Sequence, residues 1–448
     1  MTHGERNQKG QVLILVTTML VVLLGIAALA LDFGRAYGIR AKLNAAVDVA
    51  SIAAGKVASQ GSSAIGTRAT DVFKANFPRG LLGSTVADPV TDAQQNADGS
   101  WTIKVSATAS LPTGFAGVFG WRNIPVSASA TSNVRTLDMV LVLDSSNSLN
   151  TPSTTLDLLK SAVLTFIAKF DHVNDRLGLV RYASGSVLNV PITVAKGFSV
   201  ASITDAVNSI SFDGCTASED AMRIAKAQLN AIPVLSRNNL RVIVLFTDGA
   251  PNTIAGTFDN AGTPVQGNLY SQVDDMDGNA ATAVYSTTEY FTLLGYYSGI
   301  DSLPTTDYTG TVNLRSDLTP SPRTLETSSE GAILNNRCNV NRAARNMLEN
   351  VANSARTKVG TEEPIRIFAV GLGASLLSQE VKKADGTNWC GYGDADSGQN
   401  ILRRVANIQG VDTYNQAQYS GLYAYASDSS QLNYAFQQVA NQILRLSK

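Results

Sequence analysis

Charged residues are missing from Gly10 to Leu31, a run of mostly Val, Leu, Ile and Ala broken by Gln11, Thr17, Thr18 and Gly25. As an α-helix these 22 residues reach about 33 Å, matching a hydrocarbon core of ~30 Å. Arg6 and Lys9 precede the run, a bias that predicts a cytoplasmic N-terminus and export of the chain beyond the run. The helical pattern continues past the apolar stretch. Leu43, Val47, Ala50, Ala54 and Val57 recur at near-heptad spacing, with Arg35, Arg40, Lys42 and Asp48 on other faces. One helix from about Val12 to Ala58 is predicted, ~70 Å long. Its stripe calls for a packing partner, because a rod of that length cannot bury one face alone. Two alternatives are a break near Gly34 or Gly38, and a signal peptide cut at Ala28-Leu29-Ala30. The apolar run exceeds the core of an ordinary signal peptide, which favours a retained anchor.

The period then changes. A short helix over Thr67–Asn76 is stopped by Pro78. After the Asp98-Gly99 turn, Trp101, Ile103, Val105, Ala107 and Ala109 alternate with polar residues, and Val126, Ala128 and Ala130 do the same. Pro112-Thr113-Gly114 and the stretch Gly117–Trp121 connect them. Residues 60–135 therefore read as a small, β-rich α+β domain with an antiparallel sheet wet on one face. From Thr136 onward strands and helices alternate. Met139–Leu143 is apolar throughout, as in a strand buried on both faces, and Leu159, Val163, Phe166 and Phe170 come next at helical spacing. Strands at Leu177–Val180, Val242–Phe246, Ile365–Val370 and Leu422–Tyr425 are interleaved with helices at Ala221–Leu229, Arg342–Ala355 and a last one bearing Leu432, Phe436, Val439 and Ile443. This predicts a doubly wound, mostly parallel α/β sheet over residues 136–448. About residues 254–333 read as an insertion at the sheet's carboxyl edge, since one helical crossover needs far less chain. Residues 1–59 form the stub, the transmembrane helix and its extension.

Composition narrows the function. The chain has 448 residues, 35 Lys plus Arg against 36 Asp plus Glu, and only 16% charged residues. The near-zero balance argues against a nucleic-acid partner, and the paucity of charge suits a membrane-attached or exported chain. The two histidines are His3 in the extreme tail and His172 standing alone, which removes a His-centred active site. Neither a nucleophile elbow nor a phosphate loop occurs. The chain reads as a binding protein and not an enzyme.

Ligands of doubly wound sheets bind beyond the carboxyl ends of the strands. There the first strand runs into Asp144-Ser145-Ser146-Asn147-Ser148, the Val242–Phe246 strand into Thr247-Asp248-Gly249, and Gly214-Cys215-Thr216 precedes a helix. Asp144, Ser146, Ser148, Thr216 and Asp248 form an oxygen-only donor set, suited to a hard cation such as Mg²⁺, with Mn²⁺ or Ca²⁺ as alternatives. If the hydroxyls bind directly and the carboxylates act largely through water, the ion keeps its electrophilicity. It can then accept a carboxylate from a protein partner.

On these residues the sequence resembles the von Willebrand factor A-type domain. Asp144-x-Ser146-x-Ser148, Thr216 and Asp248 stand in the order of that family's metal-ion-dependent adhesion site, with Cys215 where a glycine is common. The N-terminal segment is similar to bacterial Tad (tight adherence) pilus-assembly proteins of the TadE/TadG type. The residues that carry this are Lys9-Gly10-Gln11, the apolar run, Leu31–Tyr37 and the Ala-rich helix Leu43–Ala54. Leu15 stands where precursors cut after a glycine carry glutamate, which again favours a retained anchor. The resemblance implies a single-pass protein of the bacterial cytoplasmic membrane, N-in, with its bulk periplasmic or extracellular. It also implies pilin-like or pilus-assembly partners. The alternative is a surface adhesin that binds an external ligand and uses the helix only as a tether.

Three cysteines allow one intramolecular disulfide. Cys338 and Cys390 flank the Ile365–Val370 strand and are the preferred pair; Cys215 with either of them is the alternative. Within the insertion, Tyr285, Tyr290, Tyr296 and Tyr297 are candidate partner-contact residues, because Tyr with Ser or Thr makes low-entropy contact surface. The other reading is that these rings pack the insertion's own core.

Overall fold

The structure is a computed structural model that describes residues 9–96, 100–270, 282–303, 337–358, 360, 363–378 and 397–447. The chain forms two compact units that divide between Arg135 and Thr136.

In the first unit, helix α1 (Lys9–Gly55) runs unbroken through Gly34 and Gly38. It is long and apolar enough to cross a membrane. Helix α2 (Ser62–Asn76) and strands β1 (Thr85–Val86), β2 (Val90–Gln95), β3 (Trp101–Pro112) and β4 (Asn123–Val134) complete the unit. β3 and β4 pair antiparallel over their whole lengths, with Ala107 opposite Ala128, and β1 and β2 share the other edge of β3. The expected segments 1–59 and 60–135 share one core. Ile39, Leu43, Ala46, Val47, Ala50 and Ala54 of α1 pack against Ile65, Ala69 and Phe73 of α2 and Ile103, Val105 and Ala109 of β3. The helix stripe from Ile39 to Ala54 thus finds its packing partner inside its own chain. Alanines at the contact let the helix backbone approach the sheet closely. At Gly55 a Cβ would stand 2.9 Å from the Val134 side chain. The charge at position 32 is also used internally. The buried Asp32 carboxylate accepts the backbone N–H groups of Gly114, Phe115 and Ala116, each at 2.9 Å, from the β3–β4 connection.

In the second unit, β5 (Leu137–Asp144), α3 (Thr155–Ile167), β6 (Arg176–Tyr182), β7 (Ser186–Val190), α4 (Val200–Asn208), α5 (Ser218–Ala231) and β8 (Leu240–Thr247) open the fold. Strands β9 (Ile254–Asn260), β10 (Thr263–Tyr270), β11 (Thr282–Tyr285) and β12 (Leu293–Tyr297) come next, then α6 (Arg337–Arg356), β13 (Arg366–Leu372), α7 (Gly398–Val405), β14 (Tyr423–Ala426) and α8 (Leu432–Leu446). The main sheet has the order β14-β13-β8-β5-β6-β7. All neighbours are parallel except the edge strand β7, which returns antiparallel along β6. Helices α3, α4 and α8 cover one face and α5, α6 and α7 the other, so the central strand β5 is buried along its whole length. That two-sided burial is why Met139–Leu143 shows no alternation.

Within the expected insertion, β9–β12 form a separate antiparallel sheet. Its core of Ile254, Phe258, Leu269 and Val284 is closed by Val340, Ala343, Ala344 and Met347 from the first half of α6. The second half of α6, with Leu348, Val351 and Ala352, packs on the main sheet. One helix therefore bolts the insertion to the α/β core.

A buried ion pair holds the amino ends of the central strands. Arg176 donates to Asp138 at 2.8 Å, and both side chains are nearly solvent-free. The same guanidinium also bonds the carbonyls of Val194 and Ser236, while Asp138 accepts from the Asn238 N–H. Cutting one partner leaves a charge in a low dielectric. Replacing Arg176 with Met is expected to cost about 3–5 kcal/mol in a urea unfolding curve. A cost below about 1 kcal/mol would show that the pair does not hold these strands.

Candidate functional site: a hydroxyl and carboxylate rim

Each expected site residue emerges from an element fixed by burial. β5 carries Asp144 to the carboxyl rim, where its side chain has no solvent exposure. The chain then turns, and the turn is stitched to its surroundings. Ser145 donates both its N–H and its hydroxyl to the Tyr182 carbonyl, each at 2.8 Å. The Asn147 N–H reaches the Gly214 carbonyl at 3.1 Å, and the Asp213 N–H reaches the Ser145 carbonyl at 2.8 Å. These bonds draw the Asp213–Thr216 segment against the first strand's loop.

Four of the five expected residues form a connected set. Asp144 Oδ1 accepts the Ser146 N–H at 2.8 Å. Ser146 Oγ and Ser148 Oγ lie 3.1 Å apart, and Ser148 Oγ donates to Asp248 Oδ1 at 2.8 Å. Ser146 and Asp248 are buried, whereas Ser148 is exposed, so the set opens to solvent on that side. Thr216 is held differently. Its N–H donates to Asn252 Oδ1 at 2.8 Å, and its carbonyl accepts from the Asn252 N–H. Its hydroxyl lies 3.9 Å from the place a Cβ would occupy on Gly249. The glycine after Asp248 thus leaves open space beside that hydroxyl.

Three supporting residues were not anticipated. The Thr247 hydroxyl donates to Asp144 Oδ2 at 2.5 Å, the buried Tyr182 phenol lies 3.3 Å from the same oxygen, and Ser375 Oγ donates to the Asp248 carbonyl. Thr247 had a signal, since it directly precedes Asp248 at a strand end. Tyr182 had none that separates it from an ordinary core residue.

The electrostatics arise from burial. Desolvation pushes the Asp248 carboxyl up to about 7, with the Asp144 charge adding to it and the Ser148 hydrogen bond opposing it. Asp144 is raised as well, mainly by burial. Neither carboxylate forms an ion pair among the described residues. Two buried like charges, with hydroxyl oxygens beside them, make a local deficit of positive charge. Oxygen donors of this kind suit a hard divalent cation. Among the described residues no group of three His, Cys, Asp or Glu side chains is placed to hold a metal.

The insertion borders this rim. The Tyr290 carbonyl accepts from the Gly185 N–H, and its ring lies over the Arg181 guanidinium at 3.9 Å. A Cβ on Gly214 would meet the Phe291 ring at 2.6 Å. Tyr285 corrects the expected contact surface. It is buried, with its ring 5.7 Å from that of Phe291, because β11 lies inside the insertion sheet. Tyr297 packs against the insertion core, and Tyr296 on the edge strand is exposed. Cys215 is a free thiol that burial pushes up to about 11, and Cys338 is disulfide-bonded. Cys390 lies outside the described residues.

Residues 139–250 match the von Willebrand factor type A domain. Residues 10–60 match the Flp pilus-assembly TadE/G-like family. The A-type match runs from β5 to just past β8 and so contains all five rim residues. The chain thus carries a TadE/G-like segment at its N-terminus and an A-type domain after it. No curated protein matches the sequence. Among solved structures it is similar to the PilB minor pilin from Streptococcus sanguinis, at 16% identity over 83% of this chain and 81% of that one, with a TM-score of 0.39. The vWF domain of the type V pili tip protein Mfa5 from Porphyromonas gingivalis is matched at 14% identity, over 71% of this chain and 98% of that one, with a TM-score of 0.39. The pilus adhesin SpaC from Lactobacillus rhamnosus GG gives 13% identity, 80% and 34% coverage, and a TM-score of 0.37.

The raised Asp248 carboxyl sets a sign for stability. A carboxyl whose folded pKa lies above its unfolded value destabilises the fold when ionised, so its cost accrues as pH rises from about 4 towards 7 and is complete above that. In chelator at pH 8, Asp248→Asn keeps an acceptor for Ser148 and removes the charge. The variant is expected to gain about 1 kcal/mol in thermal or urea unfolding. A loss of the same size would mean that the charge is already compensated.

Proposed function

We propose that this is a membrane-anchored protein of pilus assembly or adhesion whose A-type domain engages a protein partner through a divalent cation. Asp144, Ser146, Ser148, Thr216 and Asp248 would hold the ion, with Mg²⁺ the first choice and Mn²⁺ or Ca²⁺ as alternatives. The observation that carries this reading is the pairing of two buried, uncompensated carboxylates with the Ser146 and Ser148 hydroxyls on an open rim. When bound, the ion supplies a Lewis-acidic place for a carboxylate of the partner. The hydroxyls leave its charge largely unneutralised, Asp144 is locked in orientation by Thr247 and the Ser146 N–H, and Ser148 presents the solvent side. The helix α1 anchors the chain in the bacterial cytoplasmic membrane with its N-terminus inside, as Arg6 and Lys9 favour, and pilin-like membrane proteins are its neighbours.

A second reading is a surface adhesin for which α1 is only a tether. The exposed Leu293, Leu294 and Tyr296 on edge strand β12 favour it, since they offer an apolar contact surface on the insertion. Deleting the protein separates the two. Loss of assembled pili supports the assembly role, and normal pili with lost attachment support the adhesin.

Metal dependence is tested on the full chain in detergent. Addition of Mg²⁺ to ~100 times its Kd is expected to stabilise the parent by about 2.7 kcal/mol, read as a rise in Tm that chelator reverses. Asp144→Ala and Asp248→Ala are expected to abolish the rise. Equal shifts in parent and variants would exclude the rim as the site.

A further inference from the structure

The β3–β4 connection is unusual for a hairpin loop that faces solvent. Its sequence from Gly114 to Trp121 is Gly-Phe-Ala-Gly-Val-Phe-Gly-Trp, without a charged side chain. Phe115 is 49% and Trp121 63% exposed. The loop is nonetheless ordered by its own backbone. The Trp121 N–H bonds the Ala116 carbonyl at 3.2 Å, the Thr113 N–H bonds the Arg122 carbonyl at 3.1 Å, and the Thr113 hydroxyl caps the Trp121 carbonyl.

Its position along α1 is fixed by Asp32, whose carboxylate accepts three N–H groups from Gly114, Phe115 and Ala116. Asp32 is the first charged residue after the apolar run that ends at Leu31. If that run fills the hydrocarbon core, the loop sits at the boundary between acyl chains and headgroups. Exposure along the helix agrees. The run is largely exposed up to this point, and Ala28 and Leu29, one turn before Asp32, become half-buried. An exposed tryptophan and phenylalanine at that depth, with the exposed Arg122 directly after them, have the chemistry of an interfacial anchor: amphipathic rings at the headgroup level and a cation for phosphate.

We propose that the loop Gly114–Trp121 is a second membrane contact, which docks in the headgroup–acyl boundary of the phospholipid bilayer that α1 crosses. The proposal rests on reading α1 as a bilayer span. The loop would fix the tilt and rotation of the first unit above the membrane, because a single helix alone leaves both free.

The test uses the full chain in vesicles of phosphatidylethanolamine and phosphatidylglycerol, doped with phosphatidylcholine brominated either near the glycerol end or near the methyl end of its acyl chains. With Trp101→Phe and Trp389→Phe, Trp121 is the only indole. The expected result is blue-shifted emission, weak quenching by aqueous iodide, and quenching by the shallow bromine at least about twofold stronger than by the deep one. If those two substitutions unfold the chain, the unaltered protein and Trp121→Ser are compared in the same vesicles, and shallow-bromine quenching should fall in the variant. Strong iodide quenching without bromine quenching overturns the proposal, as does shielding from both, which would mean that another protein covers the loop. Alkaline extraction keeps the two readings apart. A chain retained in vesicles with Trp121 in water sinks only the loop contact, whereas a chain stripped from vesicles sinks the membrane span and the loop contact together.

Discussion

Two carboxylates, Asp144 and Asp248, are held buried beside each other at the end of parallel strands, and the second unit is organised so that they stay there. Their like charges would push the loops apart or draw protons. Hydrogen bonds from Ser148, Thr247 and the Ser146 N–H oppose that tendency. Backbone bonds from Ser145 and Asn147 to Tyr182 and Gly214 lock the loops that carry the hydroxyls. Such an arrangement stores electrostatic cost in the folded state, which the proposed cation would release.

The rest of the fold supplies rigidity for that arrangement. At the opposite end of the strands the Asp138–Arg176 pair and its carbonyl contacts clamp β5, β6 and the approach to β8. α6 spans two cores, so the insertion sheet cannot drift away from the helical layer behind the rim. The loop from Ser286 to Phe291 is pressed so closely on Gly185 that a Cβ there would lie 2.2 Å from the carbonyls of Ser286 and Glu289. Glycine at this position is thus a packing requirement.

The first unit solves a different problem, that of a helix whose two halves meet different surroundings. Its first half is an exposed apolar rod. Its second half is a core helix of a small α+β unit, where Leu43, Val47 and Ala50 meet a sheet as well as the short helix α2. Asp32 marks the change between them. A carboxylate at the end of an apolar run would be costly if left bare, and three backbone N–H groups from a distant loop satisfy it.

Much of this could be read from local pattern. Charge-free length announced a helix long and apolar enough to cross a membrane, two-residue alternation the β3–β4 pair, and continuous apolar runs the buried parallel strands. Acidic and hydroxyl residues at strand ends marked the rim, because the carboxyl ends of parallel strands in such a sheet open towards one edge. What periodicity could not supply was the identity of neighbours. A stripe of Leu, Val and Ala fits a sheet as well as a helix, so only the folded chain decided what covers α1. In the same way an aromatic in a polar segment can face inward or outward. Tyr285 went into the core because β11 has strands on both sides, while Tyr296 stayed in solvent because β12 is an edge. Long-range partners such as Thr247 for Asp144, or Asn252 for Thr216, arise from the crossing of loops in space, which leaves no trace in local spacing.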